Sequence, residues 1–295
     1  MEPEYLSRAR NELTEYLVYG KLARREKNPA NRALLEKLSA QEQQHATFWK
    51  TLLPPGTEVK PHAFTVKWVP LLRTLFGVTF IVKLLETHEQ AAIATYQKML
   101  ATVPGQHRAQ LQQIIQDEQS HERALFGQLK EKRVAYIGFI ALGLADAIVE
   151  ITGVHAGFLG VTGQTLIAGI SGVIVGFAAA ISMGSASYIQ AKQNAGKNLS
   201  PIISGFATGL SYLFSVILLA TPYFLITAML PAFVVSTSIG IALLAAFTFY
   251  GAVIFDRAFL REFTESVSLM LATALATYLL GTFVGRVFHV SERSF

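Results

Sequence analysis

The chain has 295 residues, a net charge of +5 at neutral pH and no cysteine. The absence of cysteine excludes disulfide bonds and thiolate metal sites, so any metal must be held by carboxylate and imidazole groups. The positive charge is not carried by runs of Lys and Arg with interleaved aromatic residues, which argues against a nucleic-acid partner.

Charged residues are concentrated in the first part of the chain. Residues 1–133 carry 33 of the 45 Asp, Glu, Lys and Arg residues, whereas residues 134–290 carry ten, set among long apolar runs. We therefore predict an all-α protein of two domains: a soluble domain at residues 1–130 and a domain in the lipid bilayer at residues 131–295.

The first domain is predicted to contain four helices, each bounded by Pro or Gly. Their expected ranges are Glu4–Lys27, Asn31–Leu53, Val66–Val103 and a fourth helix from Gln106 onward. The joins between the first two and the last two helices are short, which favours two antiparallel hairpins. The longer linker between the hairpins allows a crossover, as in ferritin-like four-helix bundles.

Five apolar stretches in the second domain are each long enough to cross a bilayer as a helix. They are Val134–Leu159, Leu166–Gln190, Ile202–Thr221, Met229–Phe255 and Ser266–Phe288. The connecting loops on one side are basic, and the charged N-terminus has no apolar signal segment. The positive-inside rule therefore predicts a cytoplasmic first domain and an external C-terminus.

Two Glu-x-x-His motifs, Glu42 to His45 and Glu118 to His121, lie on the second and fourth predicted helices. This spacing puts a carboxylate and an imidazole on one helical face, one turn apart. The first and third helices are each expected to add one Glu. Glu12 precedes Glu42 by 30 residues, and Glu86 precedes Glu118 by 32. The pattern predicts a two-metal site within the bundle.

The phase of the first and third helices stays open at this point, because Glu15 and Glu89 are separated by the same 74 residues as Glu12 and Glu86. Sites rich in carboxylates, with two imidazoles, suit iron or manganese better than copper or zinc. The tyrosines Tyr16, Tyr19 and Tyr96 either lie near the metal site or belong to the bundle core, and we favour the core.

The stretches Glu12-Leu13-Thr14-Glu15-Tyr16-Leu17-Val18-Tyr19 and Glu86-Thr87-His88-Glu89 resemble the first and third ligand helices of rubrerythrins and their ferritin-like relatives. The resemblance covers about residues 5–130. It implies a di-iron centre, with Glu12 and Glu86 as principal ligands and Glu89 as an auxiliary ligand. It also implies Fe²⁺ binding and leaves ferroxidase activity open. The cysteine-based rubredoxin module of true rubrerythrins is absent from this sequence, which argues against a peroxidase role.

The first apolar stretch contains two acids, Asp146 and Glu150, which share a helical face. Each costs about 2.5 to 3.5 kcal/mol to place at the centre of a bilayer, so the pair predicts an ion pathway. The alternative is that each acid lies near the membrane surface and extends its side chain to water. Met183 on the second stretch is either a packing residue or a soft ligand beside these acids. His155 is either a proton relay or a residue that caps the far end of its helix. Gly172 and Gly176 suggest a helix-packing seam.

Three stretches of the second domain resemble the vacuolar iron transporter family. They are Gly143-Leu144-Ala145-Asp146 with Glu150, Ile181-Ser182-Met183-Gly184 and Thr221-Pro222-Tyr223-Phe224. The resemblance implies a five-span homodimer that exchanges Fe²⁺ or Mn²⁺ for protons. Fusions of the two modules are known as membrane-bound ferritins.

The sequence therefore predicts a transporter that exports Fe²⁺ from the cytoplasm through a prokaryotic plasma membrane by proton antiport, with Asp146, Glu150 and Met183 along its pathway. The choice between Fe²⁺ and Mn²⁺ stays open. Two other functions are also considered. One is a membrane-anchored di-iron oxidase or peroxidase, and the other is a metal sensor domain that regulates a manganese transporter.

Overall fold

The computed structural model describes the backbone of residues 2–86, 89–128, 136–193 and 199–289, and gives backbone alone at positions 2, 75, 86, 89–91 and 121–128. Every regular element within these residues is a helix. The chain divides into two compact units, residues 1–132 and residues 133–295.

Within its described residues, the first unit contains six α-helices and one short 3₁₀ turn. They are α1 (Glu2–Arg25), α2 (Pro29–Thr51), α3 (Ala63–Phe76), α4 (Val78–Glu86), α5 (Glu89–Met99), the 3₁₀ turn Gly105–His107 and α6 (Arg108–Gln128). The predicted break between the first two helices is confirmed. Asn28 caps α2 by accepting hydrogen bonds from the backbone amides of Ala30 and Asn31, and Pro29 occupies the first turn.

Helix α3 is the crossover between the two hairpins. Five hydrogen bonds tie the segment from Lys60 to Arg73 to α1 and its C-terminal end, and their order is the same along both segments. They join Arg10 to Lys60, Asn11 and Thr14 to His62, Lys21 to Val66 and Glu26 to Arg73. The segment therefore runs parallel to α1 and carries the chain from one end of the bundle to the other.

The prediction of a single third helix over Val66–Val103 is wrong. The stretch is divided at Gly77, which has φ +87° and ends α3, and α5 ends at Met99. A left-handed φ costs glycine little because it has no Cβ, so Gly77 lets the chain change direction. Hydrophobic periodicity continues across this glycine, and periodicity alone therefore could not separate the crossover helix from the bundle helix.

The core of the first unit is shared by α1, α2, α5 and α6. Its centre is the fully buried Trp49, whose ring centroid lies 6.0 Å from that of Tyr5, 5.1 Å from that of Phe48 and 5.0 Å from that of Tyr96. Leu111 of α6 is buried in the same cluster. Four helices around one apolar core form the predicted ferritin-like bundle.

The part of the second unit that the structure describes contains five helices, α7 (Ile137–Val161), α8 (Thr165–Gln193), α9 (Pro201–Leu225), α10 (Met229–Phe255) and α11 (Phe259–Val287). All five are long and apolar enough to cross a membrane, as predicted. The predicted bounds of the fourth are those observed. Helix α11 begins earlier than predicted because it continues through the charged residues Glu262 and Glu265 beyond its apolar part.

Helix α7 lies at the centre of the second unit and packs against the other four helices. Glycines allow close backbone approach around it. A Cβ at Gly281 of α11 would lie 2.1 Å from the carbonyl oxygen of Gly157, and one at Gly143 would lie 2.3 Å from that of Thr208. Such contacts require glycine, which is typical of helices packed in lipid.

The predicted Gly172/Gly176 seam is a contact surface of α8. A Cβ at Gly172 would lie 2.3 Å from Nε2 of His155, and one at Gly176 would lie 2.5 Å from a methyl group of Val216. The two glycines therefore make room for side chains of α7 and α9.

Candidate metal centre

Four of the seven predicted metal ligands lie together inside the bundle. Glu12 of α1, Glu42 and His45 of α2 and Glu118 of α6 each place a ligand atom within 4.8 Å of the others. All four are buried, and Glu42 is completely inaccessible to solvent. The Glu-x-x-His spacing on α2 presents Glu42 and His45 to the same side, where α1 and α6 each add a carboxylate.

Nδ1 of His45 faces the three carboxylates of this cluster. It lies 3.2 Å from Oε1 of Glu118, 3.3 Å from Oε2 of Glu42 and 3.6 Å from Oε2 of Glu12. Burial lowers the pKa of His45, but hydrogen bonds with these carboxylates outweigh burial and raise it well above 6.5. In the absence of metal, the imidazolium is thus the cation that balances the buried carboxylates.

Glu42 is the carboxyl group most affected by its surroundings. Burial raises its pKa well above 4.5. The hydrogen bond with His45 lowers the pKa, whereas the charges of Glu12 and Glu118 raise it further. Three carboxyl groups enclosed in an apolar bundle favour a cation among them, because burying uncompensated like charges is costly. Carboxylate oxygens with an imidazole are a donor set that suits Fe²⁺ or Mn²⁺.

The remaining predicted ligands fall where the structure gives backbone alone. Glu86 is the last residue of α4, Glu89 is the first residue of α5, and His121 lies in α6. The side chains of all three lie outside the described residues, so the choice between Glu86 and Glu89 as the ligand from the third predicted helix stays a prediction. Between the two phases of the first helix, the structure places Glu12 in the cluster, and the described cluster does not include Glu15.

Asp117 is a neighbour of the site that sequence reasoning missed. Its Oδ2 lies 3.6 Å from Nε2 of His45, on the side of the ring away from the three glutamates, and its Oδ1 accepts a hydrogen bond from Gln113. At this separation the contact is electrostatic and not a hydrogen bond, and the charge of the carboxylate favours a proton on Nε2 of His45. The position of Asp117 directly before Glu118 could have predicted this contact, because adjacent residues of a helix lie on neighbouring faces.

Tyr96 of α5 is a second neighbour of the site. Its hydroxyl donates a hydrogen bond of 2.5 Å to Oε1 of Glu12. Burial raises the pKa of Tyr96 well above 10, and the charge of Glu12 raises it further, so the hydroxyl keeps its proton. The burial of Tyr96 confirms its interpretation as a core residue, and its contact with Glu12 agrees with the alternative that it lies near the cluster.

Comparison with known families shows what the first unit resembles. Residues 4–129 match the family model described as Rubrerythrin. These residues form a rubrerythrin-like, ferritin-like domain. No match was found among curated proteins or among solved structures. The match ends before the first of the five apolar helices and includes all four residues of the buried cluster in the rubrerythrin-like domain.

The second unit contains the predicted pathway residues. Asp146 and Glu150 are half-buried in the middle of α7, and Glu150 accepts a hydrogen bond from the hydroxyl of Tyr212 of α9. Met183 of α8 is partly buried against the apolar cluster that contains Tyr212. Glu150 of α7 thus contacts α9 through Tyr212. The sequence did not predict this polar contact.

His155 is completely buried and packs against the ring of Tyr223, with centroids 4.0 Å apart. Gly172 lies directly against its Nε2. His155 therefore lies within the helix packing, which argues against the hypothesis of a cap at the exposed end of α7.

Proposed function

We propose that this protein exports Fe²⁺ from the cytoplasm across a prokaryotic plasma membrane in exchange for protons, and that its rubrerythrin-like domain captures the ion. The observation that carries the proposal is a buried cluster of three carboxylates and one imidazole in a chain that also has five membrane-length helices. One of these helices carries two acids in its middle.

In the capture step, Glu12, Glu42, His45 and Glu118 hold the metal, with Glu86, Glu89 and His121 proposed to complete a di-iron centre. Iron held there would supply the chemistry for oxidation of Fe²⁺ by O₂, which the oxidase considered below requires and the export of Fe²⁺ does not. The charge of Asp117 favours one tautomer of His45, and Tyr96 holds the carboxylate of Glu12. Deprotonation of His45 and Glu42 accompanies binding, because a metal ligand must give up its proton.

In the membrane step, Asp146 and Glu150 bind the cation while ionised and release it when protonated. The hydroxyl of Tyr212 holds Glu150 in place. An inward flow of protons thereby drives outward flow of metal. Met183 adds a soft contact beside the acids, and two copies of the chain form the transporter. Placing acids within an apolar helix costs free energy of membrane insertion. A helix that serves only as an anchor does not require them, so the two acids favour a transport function.

The test is metal flux into proteoliposomes that contain the full-length protein, with dyes that report Fe²⁺ and pH on the two sides. We expect Fe²⁺ movement coupled to opposite proton movement, abolished in the Asp146→Asn and Glu150→Gln variants. Glu265→Gln is the matched control, because Glu265 is an exposed acid of α11 paired with Arg261. Unchanged flux in both α7 variants would contradict the proposal. The same assay with Mn²⁺ measures the preference between the two metals.

A membrane-anchored di-iron oxidase is the second candidate, favoured by the burial of the cluster and by the contact of Tyr96 with Glu12. O₂ consumption during Fe²⁺ oxidation separates the two functions. Oxidation that is lost in Glu42→Gln, together with absence of flux in the wild type, would establish the oxidase instead of the exporter.

A further inference from the structure

Helix α3 carries an exposed apolar stripe that the proposed function does not use. The stripe consists of Phe64, Trp68 and Leu71, which are 75%, 45% and 44% exposed. Their spacings of four and three residues place them on one face of the helix over consecutive turns. The rings of Phe64 and Trp68 lie 6.2 Å apart, so the stripe forms one continuous apolar surface.

The opposite face of α3 is fixed to α1 and its C-terminal end. The ammonium group of Lys21 donates to the backbone oxygen of Val66 at 2.9 Å, and Arg73 forms a 2.8 Å ion pair with the buried Glu26. Pro70 is buried on the same side. These contacts fix the orientation of α3 with the stripe facing outward. The helix therefore cannot rotate to bury the stripe in the bundle core.

The charged residues of α3 itself, Lys67 and Arg73, are both basic. The segment Ala63–Phe76 contains no Asp or Glu, and Lys67 is exposed between the apolar residues with its ammonium group 5.5 Å from the ring of Trp68. Trp and Phe beside Lys, on one face of a short helix, are typical of helices that lie in the plane of a membrane surface. An isologous contact between two copies of the stripe would instead bring two Lys67 side chains together with no acid on either helix.

We propose that the apolar stripe of α3 binds the surface of an anionic lipid bilayer. Phe64, Trp68 and Leu71 enter the boundary between headgroups and acyl chains, and Lys67 faces the lipid phosphates. The same chain carries five helices suited to a bilayer, so a lipid surface is available to the stripe whenever those helices are inserted. The interaction is independent of metal binding and transport.

The two tryptophans of the chain make a direct test possible. Trp68 lies on the stripe, and Trp49 is completely buried in the bundle core. Full-length protein is reconstituted in vesicles of phosphatidylcholine and phosphatidylglycerol that carry bromine near the headgroup end of the acyl chains. We expect bromine to quench part of the emission in the wild type and in Trp49→Phe, and the quenching to be lost in Trp68→Phe. The difference between wild type and Trp68→Phe gives the same information if Trp49→Phe fails to fold.

Lys67→Glu tests the charge component of the proposal. This variant should lose more quenching in anionic vesicles than in vesicles of phosphatidylcholine alone, because it reverses the attraction to lipid phosphate. Lys37→Glu on α2 is the matched control, since Lys37 is an exposed lysine outside α3. We expect the tryptophan emission of this control to be quenched to the same extent as that of the wild type.

The chain has no cysteine, so Leu71→Cys introduces a unique thiol on the stripe. Efficient crosslinking of this variant into dimers, without quenching of Trp68 by brominated lipid, would identify the stripe as a contact between copies and overturn the proposal. Absence of both quenching and crosslinking would show a stripe exposed to water and would also overturn it.

Discussion

The hydroxyl of Tyr96 donates a 2.5 Å hydrogen bond to the carboxylate of Glu12, and so joins α5 to α1 at the metal cluster. Both residues are buried. The contact links the aromatic core around Trp49 to the candidate metal centre, because Tyr96 belongs to both. A change at Tyr96 therefore acts on the bundle and on the cluster together.

Tyr96→Phe removes the hydroxyl and keeps the ring. We expect the metal-free protein to lose about 1 to 3 kcal/mol of unfolding free energy, because a buried carboxylate oxygen loses its donor. Denaturant unfolding followed by tryptophan fluorescence measures the change. Met99→Leu is the control on the same helix and in the same core, and a volume-conserving exchange should cost less than about 1.5 kcal/mol. Equal losses in the two variants would mean that the hydrogen bond contributes nothing.

Asp117→Asn tests the contact with Nε2 of His45. We expect metal affinity to fall roughly 10- to 100-fold, because the imidazole loses the carboxylate that favours its tautomer and raises its basicity. Competition with a chromogenic chelator measures affinity in the purified full-length protein. Glu36→Gln, at an exposed acid of α2, makes the same change in net charge and should leave affinity unaltered. An unaltered affinity in Asp117→Asn would show that Asp117 does not act through His45.

The metal-free protein should become less stable as the pH rises. The pKa of Glu42 is raised above 4.5 by burial. Hydrogen bonds to three carboxylates outweigh the opposing effect of burial and raise the pKa of His45 above 6.5. Both groups thus hold protons in the folded state at pH values where the unfolded chain has released them, so the free energy of unfolding falls from about pH 5 to about pH 8.

Thermal unfolding in the presence of a chelator, across this pH range, measures the effect. Glu42→Gln should flatten the profile, because the glutamine cannot ionise. Added metal should reverse the slope, since ligands must deprotonate to bind it. A stability of the metal-free wild type that increases with pH would contradict the expected sign.

Gly281→Ala tests the packing of α11 on α7. The new methyl group would lie 2.1 Å from the carbonyl oxygen of Gly157, so the helices must separate. We expect a loss of about 1 to 3 kcal/mol, measured as a lower temperature of aggregation in detergent. Gly251→Ala in α10 is the control, because a Cβ there meets nothing within 4 Å. That substitution should be neutral or should stabilise the helix by about 0.5 to 1 kcal/mol. A tolerated alanine at position 281 would show that the close approach is dispensable.

The five apolar helices could be predicted because length and composition alone determine whether a helix suits a bilayer. The ends were less predictable. Helix α11 begins at Phe259 and passes through Glu262 and Glu265, since a helix does not need apolar residues where it leaves the lipid. Among the metal ligands, Glu42 and His45 could be paired from their spacing, because a helix fixes the relation between residues three apart.

The sequence by itself determined the helical class, the division of polar and apolar parts, and the candidate ligands Glu42, His45 and Glu118, because helical period and composition are local properties of a chain. Only the tertiary structure decided that Glu12 lies in the cluster, that α3 is a crossover beside α1, that Asp117 and Tyr96 flank the cluster, and that Tyr212 contacts Glu150. These relations join residues far apart in the chain. They depend on the turn at Gly77 and on how helices pack, and spacing along the sequence does not contain that information.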